Sequence, residues 1–181
     1  MAKWDAGVAD FSISGKGVKE TDDDGDEREV IIDELNNVLL PQYTAYPNPQ
    51  LHPMDVRVVD ENGIIQYWAE IECGKEEHID YRKHAGSILG RKRKSVLEHY
   101  KIAPVLMFFL NNSKTRYFLY YFNPKHIEKY PLELINYRPE TITRLIEQRR
   151  KEGRSFPESP FDYKHKVPSR HGEFRNIGEA L

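Results

Sequence analysis

Residues 51–75, LHPMDVRVVDENGIIQYWAEIECGK, decide the fold. Val56 to Asp60 and Ile64 to Cys73 alternate in the manner of strands, and Asp60-Glu61-Asn62-Gly63 between them carries the residues of a hairpin turn. Pairing Asp60 with Gly63 across a two-residue loop sets Asp55 opposite Trp68 and diagonal to Glu70. The period of two then places Met54, Val56, Val58, Ile65, Tyr67, Ala69, Ile71 and Cys73 on a core face. Asp55, Arg57, Gln66, Trp68, Glu70 and Glu72 fall on the other, polar face. A slip of one residue would send Asp55 to the core face, where an unpaired carboxylate is costly, so the apolar pattern favours this pairing. Three carboxylates converging from adjacent strands mean either a wet surface or a divalent-cation site.

Working outward, a helix is predicted from Asp26 through Leu40, with Val30, Ile31, Leu35, Val38 and Leu39 at helical spacing and Pro41 ending it. Glu34 lies at the border of that apolar stripe, either as an edge residue reaching water or as a group reaching the acidic hairpin. A second helix is predicted over 77–100, with Tyr81, Ala85, Ile88, Leu89, Val96 and Tyr100 facing inward. It carries the run Arg91-Lys92-Arg93-Lys94, which reads as a solvated face or as a rail for phosphates. Two strands follow, Pro104 to Leu110 and Arg116 to Phe122. The first is apolar on both faces and is expected at the centre of a sheet covered on both sides. The second, RYFLYYF, combines packing aromatics with a possible platform for bases. A last amphipathic helix is predicted over 140–152 around Ile142, Leu145 and Ile146. The chain thus divides into an acidic arm (1–26), a core (27–152) and a basic, irregular extension (153–181).

Composition bounds the function. With 181 residues, 39% hydrophobic and 12% aromatic, the chain can bury the core of one domain. The single cysteine, Cys73, excludes an internal disulfide framework, fits a reducing compartment and is expected as a buried strand residue. No apolar run reaches membrane-spanning length and MAKWDAGVADFS lacks a signal's apolar stretch, so no membrane partner and a soluble, cytoplasmic protein are expected. Formal net charge is only -2, but residues 1–80 hold 6 Lys/Arg against 19 Asp/Glu and residues 81–181 hold 21 against 10. An acidic centre beside a basic surface suits a metal-dependent enzyme acting on a polyanion; the other reading is that each half solvates itself or pairs with the other.

Several chemistries find no support. Asp22, Asp24 and Asp26 lack the glycine and glutamate placement of a calcium loop, and Gly15-Lys16-Gly17 lacks the spacing of a phosphate loop. His52, His78, His84 and His99 are scattered, and the six-residue step from His78 to His84 does not put both on one helix face for zinc. No Ser/His/Asp signature stands out.

The order helix, strand, strand, helix, strand, strand, with Glu34, Pro53-Met54-Asp55 and Glu70-Ile71-Glu72 at the first helix and first two strands, resembles the PD-(D/E)XK nuclease superfamily over roughly residues 27–122. The resemblance implies an α/β restriction-endonuclease-like core, a central mixed β-sheet flanked by helices. It implies Mg2+, replaceable by Mn2+, with Asp55 bridging the metals, Glu70 as the second ligand, Glu72 able to hold a second ion or accept the water's proton, and Glu34 as an optional third ligand. The implied activity is phosphodiester hydrolysis in double-stranded DNA, with a homodimer where both strands are cut. The alternatives are an RNA-cleaving nuclease and a non-catalytic nucleic-acid-binding or structural module. The chain departs from the motif in two places: Met54 separates Pro53 from Asp55, and Glu72 stands where the family usually has lysine. Lys75, just past the strand, and Lys83, in the following helix, are the candidate replacements. Viral cap-snatching nucleases that share the fold place their lysine on the helix.

Overall fold

The computed structural model describes residues 23–74, 84–158 and 161–180. At its centre is the doubly apolar strand: β5 (Val105–Asn111) is buried at every position. It runs parallel to β3 (Ile65–Gly74) and antiparallel to β6 (Arg116–Tyr121). β1 (Thr44–Pro47) and β2 (Val56–Val59) lie beyond β3, and β9 (Gly172–Asn176) lies beyond β6, giving a six-stranded mixed sheet in the order β1-β2-β3-β5-β6-β9. β4 (His84–Leu89), β7 (Leu132–Leu134) and β8 (Tyr163–Pro168) form a separate antiparallel sheet in the order β4-β8-β7. The fold is mixed α/β, as expected.

Alternation along the central strands builds two cores, one on each face. Leu106, Phe108, Leu110, Tyr117 and Leu119 pack with Val56, Val58 and Ala69 under Ile31 and Leu35 of the first helix. That helix is α1 (Asp23–Glu34), continued by a wide turn over Leu35–Leu39 in which the Leu40 N–H donates to the Leu35 carbonyl at 2.8 Å. On the opposite face Val105, Met107, Phe109, Phe118 and Tyr120 pack with Trp68, Ile88 of β4, Val167 of β8, Val96 of α2 (Arg93–Tyr100) and Ile127 of α3 (Pro124–Ile127). Burying each such large side chain contributes about 1.5–3 kcal/mol. The face expected to be polar is therefore largely covered, and Trp68 and Glu70 are buried in it. Met54 joins this second core rather than the one under α1, because the chain is irregular before β2 and the strict alternation does not extend back to it.

Most of the hairpin keeps its predicted faces by a different register, Met54 and Ile65 being the exceptions. The loop holds three residues, not two: Asp60 pairs with Ile64 through its N–H at 3.0 Å, and Gly63 takes the left-handed φ of 75° that such a loop needs. Asp60 also ties the loop with its own carboxylate, which accepts from the Asn62 and Ile64 N–H groups at 2.9 Å each. A bulge between Val58 and Val59 adds a second one-residue offset, giving Arg57↔Trp68 and Val56↔Ala69. Beyond the bulge the two offsets of one cancel as far as facing is concerned, so Val56, Val58, Tyr67, Ala69 and Ile71 stay on the face under α1, whereas Ile65, on the loop side of the bulge, packs with Trp68 in the opposite core. The offsets also move Asp55 past Trp68.

Three further expectations are corrected. Residues 84–100 are not one helix: β4 occupies His84–Leu89 because it finds a distant partner, Ile88 pairing with His165 and Leu89 with Lys164 of β8. A three-residue turn, Gly90–Lys92, then leads into α2; Tyr81 lies outside the described residues. The stretch after Gly153 is not irregular, since β8 and β9 complete both sheets. Cys73 is exposed rather than buried in the strand, although its sulfur leans toward Asn111 and Asn112 and burial, with Glu27 beside it, pushes the thiol up to about 12.

The last helix, α4 (Pro139–Lys151), is held differently from its prediction. Ile146 is 47% exposed and Arg149 is the buried residue of the helix. Its guanidinium donates to both oxygens of the fully buried Asp162, which also accepts from the Glu158 N–H at 2.6 Å and the Tyr137 hydroxyl at 3.3 Å. Removing one member of a buried pair strands the other, so D162A should lose about 3–5 kcal/mol of unfolding free energy in urea titrations.

His165, buried between the sheets, sets a pH dependence. Its Nδ1 contacts the Tyr130 carbonyl at 3.0 Å, Nε2 is buried without a hydrogen-bond partner among the described residues, and burial, with Arg93 nearby, holds its pKa below the ordinary 6.5. The folded state therefore binds fewer protons than the unfolded one: the contribution is complete above pH 6.5 and is lost as pH falls through that value. The melting temperature should drop between pH 8 and about pH 5.5, and H165Q should flatten that drop.

Candidate active site

The acidic residues of the hairpin meet at the end of β2. The backbone there is fixed from both sides: the Asn48 N–H donates to the Asp55 carbonyl at 2.8 Å, and its side-chain amide donates to the Met54 carbonyl at 3.0 Å. Asp55 stops the ladder by acting on it. Its own N–H donates to the Ala69 carbonyl at 3.1 Å, and its carboxylate oxygen Oδ2 accepts from the Ile71 N–H at 2.7 Å. Asp55 thus grips the residues on either side of Glu70. Its Oδ1 lies 3.6 Å from the Arg28 guanidinium of α1.

Glu70 points from the central sheet into the face covered by β4 and α2, and only 1% of its side chain is exposed. An isolated carboxylate there would cost several kcal/mol. Lys92 compensates it. Its ammonium donates to Glu70 Oε1 and stands 3.2 Å from Glu72 Oε1, an ion-pair contact without hydrogen-bond alignment. Glu70 Oε2 is buried with no hydrogen-bond partner among the described residues. Burial raises the Glu70 pKa well above the usual carboxylate range, the Lys92 charge opposing the rise and Asp55 and Glu72 adding to it. Burial also works against the charge of Lys92, but Glu70, Glu72 and Asp55 outweigh it and hold the ammonium protonated.

Packing delivers Lys92 to that place. Gly86 of β4 lies flat on the Phe109 ring, where a Cβ would come within 2.5 Å of it. This close approach lets β4 run across the sheet and turn at Gly90–Lys92 above Glu70 and Glu72. The cationic run therefore divides: Lys92 turns inward, whereas Arg91 and Lys94 are exposed and Arg93 is intermediate. Beside the carboxylates, His52 stacks on Trp68 at 5.3 Å between centroids and His99 meets Trp68 edge-on at 5.0 Å.

Of the residues singled out in the sequence, Asp55, Glu70 and Glu72 are brought together, and Lys75 and Lys83 lie outside the described residues. Glu34 is not with them. It is buried, accepting from the Tyr117 hydroxyl at 2.8 Å and from the Gly178 N–H at 2.7 Å, so it ties α1 to β6 and to the turn after β9. Arg28 and the inward role of Lys92 went unforeseen. A lysine at the mouth of a helix is a visible signal, but four consecutive cations do not disclose which one turns inward.

Among the described residues, no group of three or more His, Cys, Asp or Glu side chains is arranged to hold a metal ion by itself. The donor chemistry nevertheless suits a hard cation: Asp55, Glu70 and Glu72 offer only carboxylate oxygens, and Oε2 of Glu70 is buried with no hydrogen-bond partner among the described residues. Magnesium needs one or two such carboxylates and keeps waters for the rest. No helix among the described residues is long and apolar enough to cross a membrane. Comparison of the chain with protein-family models, curated proteins and solved structures finds no match.

The anchoring role of Glu34 is separable from the acidic site. E34A should lower stability by about 1–3 kcal/mol in urea titrations and speed hydrogen exchange at Gly178.

Proposed function

We propose that the chain is a metal-dependent endonuclease hydrolysing phosphodiester bonds in double-stranded DNA, on a restriction-endonuclease-like core. The observation that carries this reading is Lys92, which reaches Glu70 and Glu72 beside Asp55. A lysine absent from position 72 of the resembling motif is supplied by the turn that opens α2, as in the nucleases of that fold whose lysine lies on the helix. The strand order supports it too: the antiparallel run β1-β2-β3 is followed by a crossover to the parallel β5, and the acidic residues lie at the second and third strands.

In this reading Asp55 and Glu70 hold Mg2+ or Mn2+, with Glu72 beside them. The ion would supply a hydroxide at neutral pH and shield charge on the phosphoryl oxygens. Lys92 orients the attacking water and donates to the phosphate, where an ammonium held protonated at this pH is useful. Glu72, the more exposed of the two glutamates at 27%, accepts the proton of the water. Arg28 holds Asp55 in place. The exposed Arg91 and Lys94 track the backbone next to the site. A non-catalytic nucleic-acid-binding module is the second reading, favoured by the absence of a three-ligand group among the described residues.

Incubation with supercoiled plasmid and with RNA, in Mg2+, Mn2+ and then chelator, separates the readings. The wild type should nick plasmid with metal and stop with chelator. D55A and E70A should each lose about 100-fold or more of that rate and retain DNA affinity. Full activity in both variants overturns the assignment, metal-dependent cleavage of RNA alone changes the substrate, and binding without turnover under every metal supports the module.

A further inference from the structure

We propose that Lys92 is a built-in stand-in for the divalent cation: its ammonium neutralises the carboxylate pocket in the metal-free protein and is displaced, toward the substrate side, when metal enters. The inference deepens the metal-dependent reading of the same site and rests on that reading for what the displaced lysine does next.

Charge and burial carry the argument. Three carboxylates, Asp55, Glu70 and Glu72, act on one ammonium, and only Glu70 is fully buried. Lys92 contacts Glu70 Oε1 while Oε2 of the same carboxylate is enclosed and has no partner among the described residues, so among these residues the pocket holds one cation and an oxygen that cation does not satisfy. Arg28 stands 3.6 Å from Asp55 Oδ1, while the cation in contact with Glu70 Oε1 is Lys92. Lysine suits a displaceable role. It is a compact point charge on a flexible stem, its side chain here keeps 27% exposure, and that exposed side is its exit route. The fork of an arginine locked bidentate, as Arg149 is on Asp162, would not release so readily. Because ammonium and metal compete for the same oxygens, each lowers the apparent affinity of the pocket for the other.

Two measurements test this with the full chain and with Mn2+ alone as the probe. The first is the melting temperature of wild type, K92M and the double variant K92M/E70Q in chelator and in Mn2+. K92M should melt roughly 5–15 °C below wild type in chelator and recover most of the difference in Mn2+, binding the ion about tenfold or more tightly than wild type by calorimetry. K92M/E70Q should melt near wild type and gain little from Mn2+. The second needs no variant: Lys92 in the wild type should be poorly methylated by formaldehyde and borohydride in chelator and readily methylated at saturating Mn2+, read by peptide mass spectrometry. The proposal is overturned if Mn2+ fails to restore K92M, or if K92M does not fold under either condition and Lys92 labelling is the same with and without the ion. Mn2+ rescue with no cleavage by wild type would reject the nuclease reading and keep this one. Metal-dependent cleavage with no rescue and unchanged labelling would do the reverse.

Discussion

The interaction on which the rest depends is the contact of Lys92 with Glu70. A carboxylate on the third strand of a six-stranded sheet, covered by a second sheet and a helix, is the costliest group in this core to leave alone. Its charge demands a cation from within the covering layer, because the sheet beside it presents Trp68 and Met107. The covering layer in turn must come close enough to deliver that cation, which requires Gly86 on the Phe109 ring and the tight turn at Gly90–Lys92. β4 can cross there only if β8 pairs with it, and β8 is fixed at its other end by the route through β9 back to the edge of the main sheet.

This dependence explains which parts of the fold were legible in the sequence. β5 was legible because apolar residues on both faces of a seven-residue run leave it no place except the middle of a sheet. The faces of Val56, Val58, Tyr67, Ala69 and Ile71 were legible because side-chain alternation has a period of two and the loop and the bulge together shifted the register by two, whereas Ile65, between those two offsets, was misplaced. The second sheet was not. β4 pairs with residues 164–168, and its Gly86, Ser87 and Ile88 carry no local pattern that distinguishes a strand from the start of a helix. Long-range pairing overrode a weak local preference, and β8 was lost for the same reason.

The candidate site divides along the same line. Asp55, Glu70 and Glu72 share a short segment of chain, so their proximity follows from the hairpin alone. Lys92 reaches them through the second sheet, and nothing within the hairpin announces it. The basic run at 91–94 was visible as charge, whereas its inward member is decided by the turn geometry after Leu89. Glu34 failed in the opposite direction. Its position on α1 fitted a motif, but α1 covers the face of the sheet opposite to Glu70, where Tyr117 and the Gly178 N–H already satisfy it.

Glu34 and Glu70 make an instructive pair, since both are buried carboxylates in one small protein. Glu34 is compensated by a hydroxyl and a backbone N–H, fixed dipoles that belong to β6 and to the chain after β9. Such donors cannot leave without unfolding a turn, so the group can do nothing but hold. Glu70 is compensated by a charge at the end of a flexible side chain, with one oxygen left without a partner among the described residues. A mobile counter-charge can be exchanged for another cation at the expense of one rotamer change, while a lattice of dipoles cannot. Burial alone therefore does not distinguish a structural carboxylate from a chemical one. The nature of the neutralising partner does, and by that criterion Glu70, unlike Glu34, is a buried carboxylate whose counter-charge can be exchanged.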